Sequence, residues 1–362
     1  MSGLTAKRIL YIATAGLAVF FLTEASSRIW LPVKARLYGQ YLKDAVRKPY
    51  PYVMFKGEPS AVYAPGETLN ALGYRGAAPV VPKPPGEYRI FVVGGSTVFF
   101  GEPPISDLLE QQFHQTGHPH VRCYNFGVVS SVSTQDLVRT LLELVDRDPD
   151  LIVMYNGGND IFSPLFIDPR PGYPYNFIVY ENNPLLKADL KEYPLVALTA
   201  FGSNLMRILN PGYFLDRFVP MEETRKKTGF LNDDWKSEII RIYYANMVKA
   251  ARLAASHGTQ LFVFFQPSAY YKKTYTAEER ANLHIDRQPE PYQFADEFAD
   301  EMRERTRAVF QNAPPNLQFI DLSDTFLDDT ESVFKDSLHI YQEKQPDVAE
   351  AIYHSLKDSV TP

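Results

Sequence analysis

Ser96 follows a short apolar stretch and two glycines, in the run Gly94-Gly95-Ser96-Thr97. Near the end of the chain, Asp336 and His339 stand three residues apart, a spacing that puts both side chains on one side of a turn. In that arrangement the carboxylate can hold the Nδ1 proton of the imidazole while Nε2 faces a hydroxyl. The three residue types therefore predict nucleophilic catalysis by a serine, if the fold brings Ser96 to His339.

Two further turns place polar groups where a ligand could be bound. Asn125-Phe126-Gly127 ends one apolar stretch, and no side chain stands in front of the N–H of Gly127. Gly157-Gly158-Asn159-Asp160 ends another, and the carboxamide of Asn159 is a fixed hydrogen-bond donor there. Either turn taken alone is as typical of a loop or a helix cap as of a functional site. Their shared position after apolar stretches is what makes them candidates.

The elements that must position these residues alternate between apolar strands and amphipathic helices. Strands are predicted at 89–93, 121–126, 151–155, 261–265 and 317–320, with helices near 105–115, from 133, and near 235–251, 292–310 and 347–356. Such alternation indicates a parallel sheet covered on both faces. Ligands of open parallel sheets bind beyond the carboxyl ends of the strands. The glycine-rich turns are therefore expected at one edge of the sheet.

The order of these four short sequence blocks along the chain, and the residues in them, resemble the SGNH (GDSL-like) hydrolase superfamily. The matching residues are Ser96, Gly127, Gly157-Gly158-Asn159-Asp160 and the pair Asp336 and His339. The resemblance spans residues 87–358 and leaves 162–234 unmatched. The run 70–76 and the N-terminal apolar segment are similar to a bacterial, membrane-anchored subgroup.

Two positions depart from the pattern of that superfamily. Gly95 stands where the family has an aspartate, which is not the acid of its triad. After His339, the run Gln342-Glu343-Lys344-Gln345-Pro346 replaces a glycine-led helix start.

The resemblance implies a three-layer α/β/α flavodoxin-like domain that hydrolyses esters through an acyl-enzyme, without metal or organic cofactor. The family's oxyanion would be bound by the N–H groups of Ser96 and Gly127 and by the side chain of Asn159. The expected substrate is an O-acylated, most simply acetylated, carbohydrate or another small ester. Two alternatives stay open: an O-acyltransferase acting on an extracellular polysaccharide with the same triad, and a catalytically silent binding protein.

The N-terminus has the composition of a membrane segment. Lys7-Arg8 precede the apolar run Ile9–Leu22, which at fourteen residues is short for a spanning helix unless flanking arginines snorkel. We expect residues 1–28 to be an uncleaved single-pass anchor, with a cleaved signal or a surface helix as alternatives. The catalytic domain, 87–362, is then expected in the periplasm or outside the cell, although basic residues after the run leave its orientation open.

Two segments between the anchor and the end of the chain are not expected to form regular layers. Residues 29–86, rich in Pro, Gly and Tyr in their second half, are predicted to be a lead-in and linker. Residues 162–234 contain eight prolines, four of them between 164 and 174, and many tyrosines, and are predicted to be an insertion that covers the site.

Composition excludes some partners and some chemistry. The net charge is −6, and no Lys/Arg block interleaved with aromatics suggests nucleic-acid binding. Cys123 is the only cysteine, so no disulfide framework exists within the chain. Asp321 and Asp324 are weaker candidates for the triad acid. The group His114, His118 and His120 has no carboxylate partner in sequence and is not expected to bind a metal.

Overall fold

The computed structural model describes residues 2–37, 45–182, 219–287 and 291–360 of the chain. Its strands are β1 (Lys48–Tyr50), β2 (Met54–Lys56), β3 (Val62–Ala64), β4 (Glu67–Thr68), β5 (Tyr88–Gly94), β6 (Val121–Gly127), β7 (Leu151–Asn156), β8 (Gln260–Phe265) and β9 (Gln318–Asp321). Five of them form one parallel sheet in the order β6-β5-β7-β8-β9. The parallel sheet predicted from the alternating pattern is confirmed.

The helices come before, between and after these strands along the chain. They are α1 (Ser2–Leu37), α2 (Ser96–Phe99), α3 (Ile105–Gln115), α4 (Ser133–Arg139), α5 (Gly158–Phe166), α6 (Phe177–Glu181), α7 (Met221–Thr228), α8 (Asp233–Ser256), α9 (Ala277–Asn282), α10 (Ala295–Phe310) and α11 (Gln345–Leu356). Helix α3 packs on α11, while α8 packs on both α4 and α10. This is the layered α/β arrangement expected of a flavodoxin-like domain.

The register of the sheet brings its polar turns to one level. Gly94, the last residue of β5, pairs with Gly127 of β6 on one side and with Tyr155 of β7 on the other. Side chains of the middle of β5 are fully buried, as expected for a parallel strand covered on both faces. The turns after β5, β6 and β7 therefore leave the sheet together, at the edge where ligands bind in such folds.

The segment predicted to be a linker packs on the sheet domain from residue 45 onward. It forms two antiparallel strand pairs, β1 with β2 and β3 with β4. Tyr74 is fully buried, and its hydroxyl donates to Glu143 Oε2 at 2.9 Å, where Lys56 Nζ also binds at 3.0 Å. The linker prediction missed this packing because short paired strands between prolines lack a hydrophobic period.

The predicted insertion begins later along the chain than residue 162. Helix α5 continues through Pro164, and Phe162 is buried in the core of the sheet domain. Trp235 Nε1 donates to the carbonyl of Pro169 at 2.6 Å, which fastens the far end of the segment to its start. The chain divides into a unit of residues 43–175 with 224–362 and a unit of 1–42 with 176–223. The middle of the predicted insertion, 183–218, lies outside the described residues.

Helix α1 contains a stretch that is long and apolar enough to cross a membrane. This stretch, Lys7–Ser26, has 20 residues and a mean hydropathy of 1.7. Only 6% of it is buried. A helix of this kind near an N-terminus also fits a signal sequence, so composition and length alone leave both alternatives.

Candidate active site

Ser96 is the first residue of α2, directly after the end of β5. Its N-cap, Gly95, has φ −88°, and the helix begins with Val98 and Phe99 donating to the Gly95 carbonyl. The N–H of Ser96 lies in the first helical turn, where backbone N–H groups have no partner within the helix. The tight change from strand to helix leaves the Ser96 side chain at the strand end, mostly buried at 6% exposure.

His339 joins Ser96 to Asp336. Its Nε2 lies 2.7 Å from Ser96 Oγ, and its Nδ1 lies 2.7 Å from Asp336 Oδ2. When the carboxylate holds the Nδ1 proton, Nε2 has a lone pair that can accept a hydrogen bond from Ser96 Oγ. Ser96 and the pair Asp336 and His339, which the sequence analysis singled out, thus form one hydrogen-bonded row.

The turn that carries Asp336 and His339 is tied to the end of β8. The carbonyl of Ser337 accepts from the N–H of Ala269 at 3.0 Å and from the hydroxyl of Ser268 at 2.8 Å. The Asp336 carboxylate also accepts from the N–H of Leu338. These bonds fix the backbone from which the imidazole projects, so the ring is not a free surface side chain.

Asn159 lies at the start of α5, with its amide near Ser96. One N–H of its Nδ2 donates to the carbonyl of Ser131 at 2.8 Å, and the carboxamide has a second N–H to offer. A Cβ at position 95 would lie 2.6 Å from this Nδ2. Glycine at 95 therefore leaves the space in which the Asn159 amide sits next to Ser96.

The N–H of Gly127, which was expected to bind the oxyanion, has another hydrogen-bond partner. Its N–H donates to Asn125 Oδ1 at 2.9 Å, and it is not among the residues that line the cleft over Ser96. An N–H with an acceptor of its own has no bond left for a substrate oxygen, and so the predicted role of Gly127 requires correction.

Ser130 lines that cleft instead. Its φ of +68° lies in the left-handed region, which serine seldom adopts and which recurs at functional sites. No described residue accepts its backbone N–H. Sequence analysis missed Ser130 because backbone conformation is not visible in the residue type.

A buried polar network supports the loop that holds Ser130 and Ser131. Ser131 Oγ donates to Asp136 Oδ1 at 2.6 Å, and Asp136 also binds Arg139. Beside it, Asp160 accepts from the N–H of Ser133 at 3.0 Å. Burial raises the pKa of the Asp160 carboxyl to about 7, partly offset by the Ser133 hydroxyl that donates to it. The last residue of the Gly-Gly-Asn-Asp run is thus a support beneath the site.

A cleft of about 370 Å³ opens over Ser96. The residues lining it are Ser96, Ser130, Asn159, Phe162, Ser163, Phe166, Ile167, Tyr175, Tyr270, Asn282, Leu283, His284, Tyr292, Asp336, Ser337, Leu338 and His339. Several of these residues are aromatic, and Phe166 stacks on Tyr292 with 4.7 Å between ring centroids. The lining of the cleft therefore combines polar groups with aromatic rings.

The other candidates from sequence do not join this row. The Asp321 carboxylate binds Arg307 Nε at 2.5 Å and accepts from the N–H of Ser323. The Asp324 carboxylate also binds Arg307. His114 Nε2 lies 2.9 Å from the carbonyl of Val121. Within the described part of the chain, no group of three or more His, Cys, Asp or Glu side chains is placed to hold a metal ion.

No protein-family model and no curated protein matches the chain. Among solved structures it is similar to a GDSL-like lipase from Bacteroides thetaiotaomicron, with 12% identity, 78% of this chain and 93% of that chain covered, and a TM-score of 0.38. It is also similar to a catalytic mutant of an acetylxylan esterase from Geobacillus stearothermophilus, with 10% identity, 74% and 94% covered, and a TM-score of 0.40. At identities and scores this low, neither transfers an activity or a substrate.

The sequence blocks behind the resemblance to the SGNH superfamily follow the strand ends of one sheet. Ser96 comes after β5, Gly127 ends β6, Asn159 follows β7, and His339 lies on a turn tied to β8. These sequence blocks therefore lie at neighbouring strand ends of one parallel sheet.

Proposed function

We propose that the chain is a serine esterase that hydrolyses its substrate through an acyl-enzyme. The observation that carries the proposal is the hydrogen-bonded row from Ser96 Oγ through His339 to Asp336, with 2.7 Å at each step. A nucleophile, a base and a group that orients the base are the parts that such chemistry needs. The cleft directly over Ser96 supplies room for an ester.

In the first half-reaction, Ser96 Oγ attacks the carbonyl carbon of the ester. His339 Nε2 takes the serine proton as the new C–O bond forms, and Asp336 stabilises the imidazolium. When the tetrahedral intermediate collapses, the same proton passes to the leaving alcohol. The products are an acyl group on Ser96 and a free alcohol.

We propose that three hydrogen-bond donors around Ser96 bind the oxyanion of the tetrahedral intermediate. They are the N–H of Ser96, the second N–H of Asn159 Nδ2, and the N–H of Ser130, which replaces Gly127 in this role. Donors aimed at the developing charge contribute about 3 kcal/mol each to transition-state stabilisation in comparable sites.

In the second half-reaction, water takes the place of the alcohol. His339 removes a proton from the water, hydroxide adds to the acyl carbon, and the carboxylic acid leaves as Ser96 regains its proton. A sugar hydroxyl in place of water would give acyl transfer with the same residues, which is why the acceptor must be measured.

An acylated carbohydrate or a small ester is the substrate class we propose. Support comes from the aromatic rings that line the cleft, among them the stacked pair Phe166 and Tyr292, and from the polar groups that line it beside Ser96. Rings of this kind suit a flat apolar sugar face or the alcohol part of a small ester.

We further propose that α1 anchors the enzyme to a membrane as a single-pass helix, with the catalytic domain in the periplasm or outside the cell. Its 20-residue apolar stretch is long enough to span the hydrocarbon core of a bilayer.

The experiment that tests the esterase proposal combines turnover with active-site labelling. The purified chain should hydrolyse p-nitrophenyl acetate and react with a fluorophosphonate probe at Ser96, and Ser96→Ala should do neither while keeping its melting temperature. Turnover retained by Ser96→Ala would overturn the proposal. Repeating the assay with an added sugar acceptor separates hydrolysis from transfer by the acylated product.

A further inference from the structure

Residues 99–103 form the nucleophile turn, through which the chain leaves α2. Arg75 reaches this turn from the segment before the sheet domain. Its Nη1 donates to the carbonyl of Phe99 at 3.1 Å and to the carbonyl of Gly101 at 2.6 Å, and its Nη2 binds the Glu102 carboxylate. The Arg75 side chain is 9% exposed. A buried guanidinium therefore binds the backbone that directly follows the nucleophile.

The loop before Arg75 is built to hold it. Asn70 Oδ1 accepts from the N–H groups of Leu72 and Tyr74 at 2.9 and 3.1 Å, and Asn70 Nδ2 donates to the carbonyl of Gly76 at 3.2 Å. The side chain of Tyr74 is fully buried beside the sheet. Asn70 thus holds both neighbours of Arg75, Tyr74 and Gly76. The backbone at Arg75 is therefore fixed independently of the bonds that its guanidinium makes.

Gln342 binds the same turn from the other side. Its Oε1 accepts from the N–H of Glu102 at 2.6 Å, and its Nε2 donates to the carbonyl of Pro103 at 3.3 Å. Gln342 follows His339 by three residues and belongs to the run that departs from the family pattern. The nucleophile turn is thus bonded to the segment that carries the proposed base.

We infer that Arg75 and Gln342 are positioning residues that fix the nucleophile turn and thereby hold Ser96 Oγ at hydrogen-bonding distance from His339 Nε2. The inference rests on the proposed function, since it assigns these residues a part in the serine chemistry. Neither touches the reacting atoms, and both act through the backbone of 99–103.

The bonding pattern favours positioning over simple stabilisation. The Glu102 carboxylate is 69% exposed, and exposed ion pairs contribute little to stability. The carbonyls of Phe99 and Gly101 instead accept from one buried nitrogen, Nη1, whose two N–H groups lie in the plane of the guanidinium and so fix the direction of both bonds. A misplacement of about 1 Å at a reacting group can lower the rate about 10²-fold.

The test compares Arg75→Met and Gln342→Leu with Lys56→Met in the purified full chain. Lys56 is a matched control because it is buried in the same segment but binds Glu143, away from the nucleophile turn. We expect Arg75→Met to lower kcat for p-nitrophenyl acetate and the rate of fluorophosphonate labelling by about 10²-fold, with KM little changed. Gln342→Leu should act in the same direction, and Lys56→Met should lower the melting temperature without changing kcat.

A second measurement does not depend on turnover. Phe100 N–H donates to the carbonyl of Ser96 at 2.8 Å, so amide hydrogen exchange of 96–103 reports whether the turn is fixed. Arg75→Met should speed exchange in this segment, and Lys56→Met should not. The inference is overturned if Arg75→Met and Lys56→Met have the same kcat, labelling rate and exchange. A wild-type chain that is inert towards ester and probe, yet shows the exchange difference, would instead refute the esterase proposal.

Discussion

Asp336 binds His339 twice, once through the ring and once through the backbone. Oδ2 lies 2.7 Å from the imidazole Nδ1, and Oδ1 accepts from the His339 N–H at 2.9 Å. Burial acts to raise the pKa of the Asp336 carboxyl, but the hydrogen bonds from the ring and from two backbone N–H groups outweigh it, and the pKa lies below its usual value. One carboxylate thus sets both the turn and the tautomer of the base.

Asp336→Asn should lower kcat for a small ester by about 10⁴-fold, because an amide donates where the ring needs an acceptor and leaves the imidazole in the wrong tautomer. Steady-state kinetics at neutral pH measure the effect. Asp321→Asn is the matched control, since Asp321 binds Arg307 and not His339. A mild effect at Asp336 with a severe one at Asp321 would mean that the acid has been wrongly assigned.

Asn159→Ala should lower kcat by about 10²–10³-fold with little change in KM, as expected when a donor acts mainly in the transition state. The assay is ester hydrolysis over a range of substrate concentrations. An effect confined to KM would make Asn159 a binding group for the ground-state ester.

Gly95→Asp, which introduces the residue usual in the SGNH superfamily at this position, should lower the proposed esterase activity. A Cβ at 95 would lie 2.6 Å from Asn159 Nδ2, so the amide would be displaced from the nucleophile. Gly95→Ala should lower kcat for the same reason. Gly258→Ala serves as the control, because Gly258 has φ +73° but open space around it. That variant should lose stability without losing kcat, and an active Gly95→Asp enzyme would refute the steric argument.

The buried carboxyl of Asp160 should make stability depend on pH. Its pKa is raised from 3.8 to about 7 by burial, so the folded chain binds this proton more tightly than the unfolded chain does. The contribution of Asp160 to the free energy of unfolding therefore falls as pH rises from about 4 to about 7 and is level above that.

Asp160→Asn should remove this part of the pH dependence, because its side chain does not titrate. Unfolding midpoints of both proteins in urea, measured across that pH range, give the difference. Parallel curves for the two proteins would show that Asp160 does not titrate in that range.

Removing residues 1–28 should move the protein from the membrane fraction to the soluble fraction with the proposed esterase activity intact, since the apolar stretch of α1, Lys7–Ser26, lies wholly within them. Fractionation of cells that express either form, followed by the ester assay, measures both. An insoluble and inactive truncated protein would indicate that α1 is needed for folding.

The strands of the sheet could be predicted because each is a short apolar run that ends in glycine or a polar turn. The predicted strand 89–93 is β5, Tyr88–Gly94, and 261–265 lies within β8. The position of the glycine-rich turns directly after these apolar runs likewise indicated which turns would meet at the edge of the sheet. These features depend on local pattern, which a single sequence contains.

Features that depend on tertiary contacts could not be predicted in this way. Pro164 suggested a break, yet α5 continues past it because that face of the helix packs into the core. The oxyanion role proposed for Ser130 depends on its backbone φ. The positioning role inferred for Arg75 depends on backbone carbonyls 24 and 26 residues away along the chain. No periodicity in the sequence encodes these relationships.

Ser96 and His339 are separated by 243 residues of chain, and α11 follows within a few residues of the latter. A ribosome therefore completes the whole sheet before it adds the proposed base. A chain that terminates between residues 97 and 338 keeps the serine but lacks the imidazole beside it. Under the proposed mechanism, ester cleavage would thus require synthesis past residue 339, so shorter chains would lack the base wherever they accumulate.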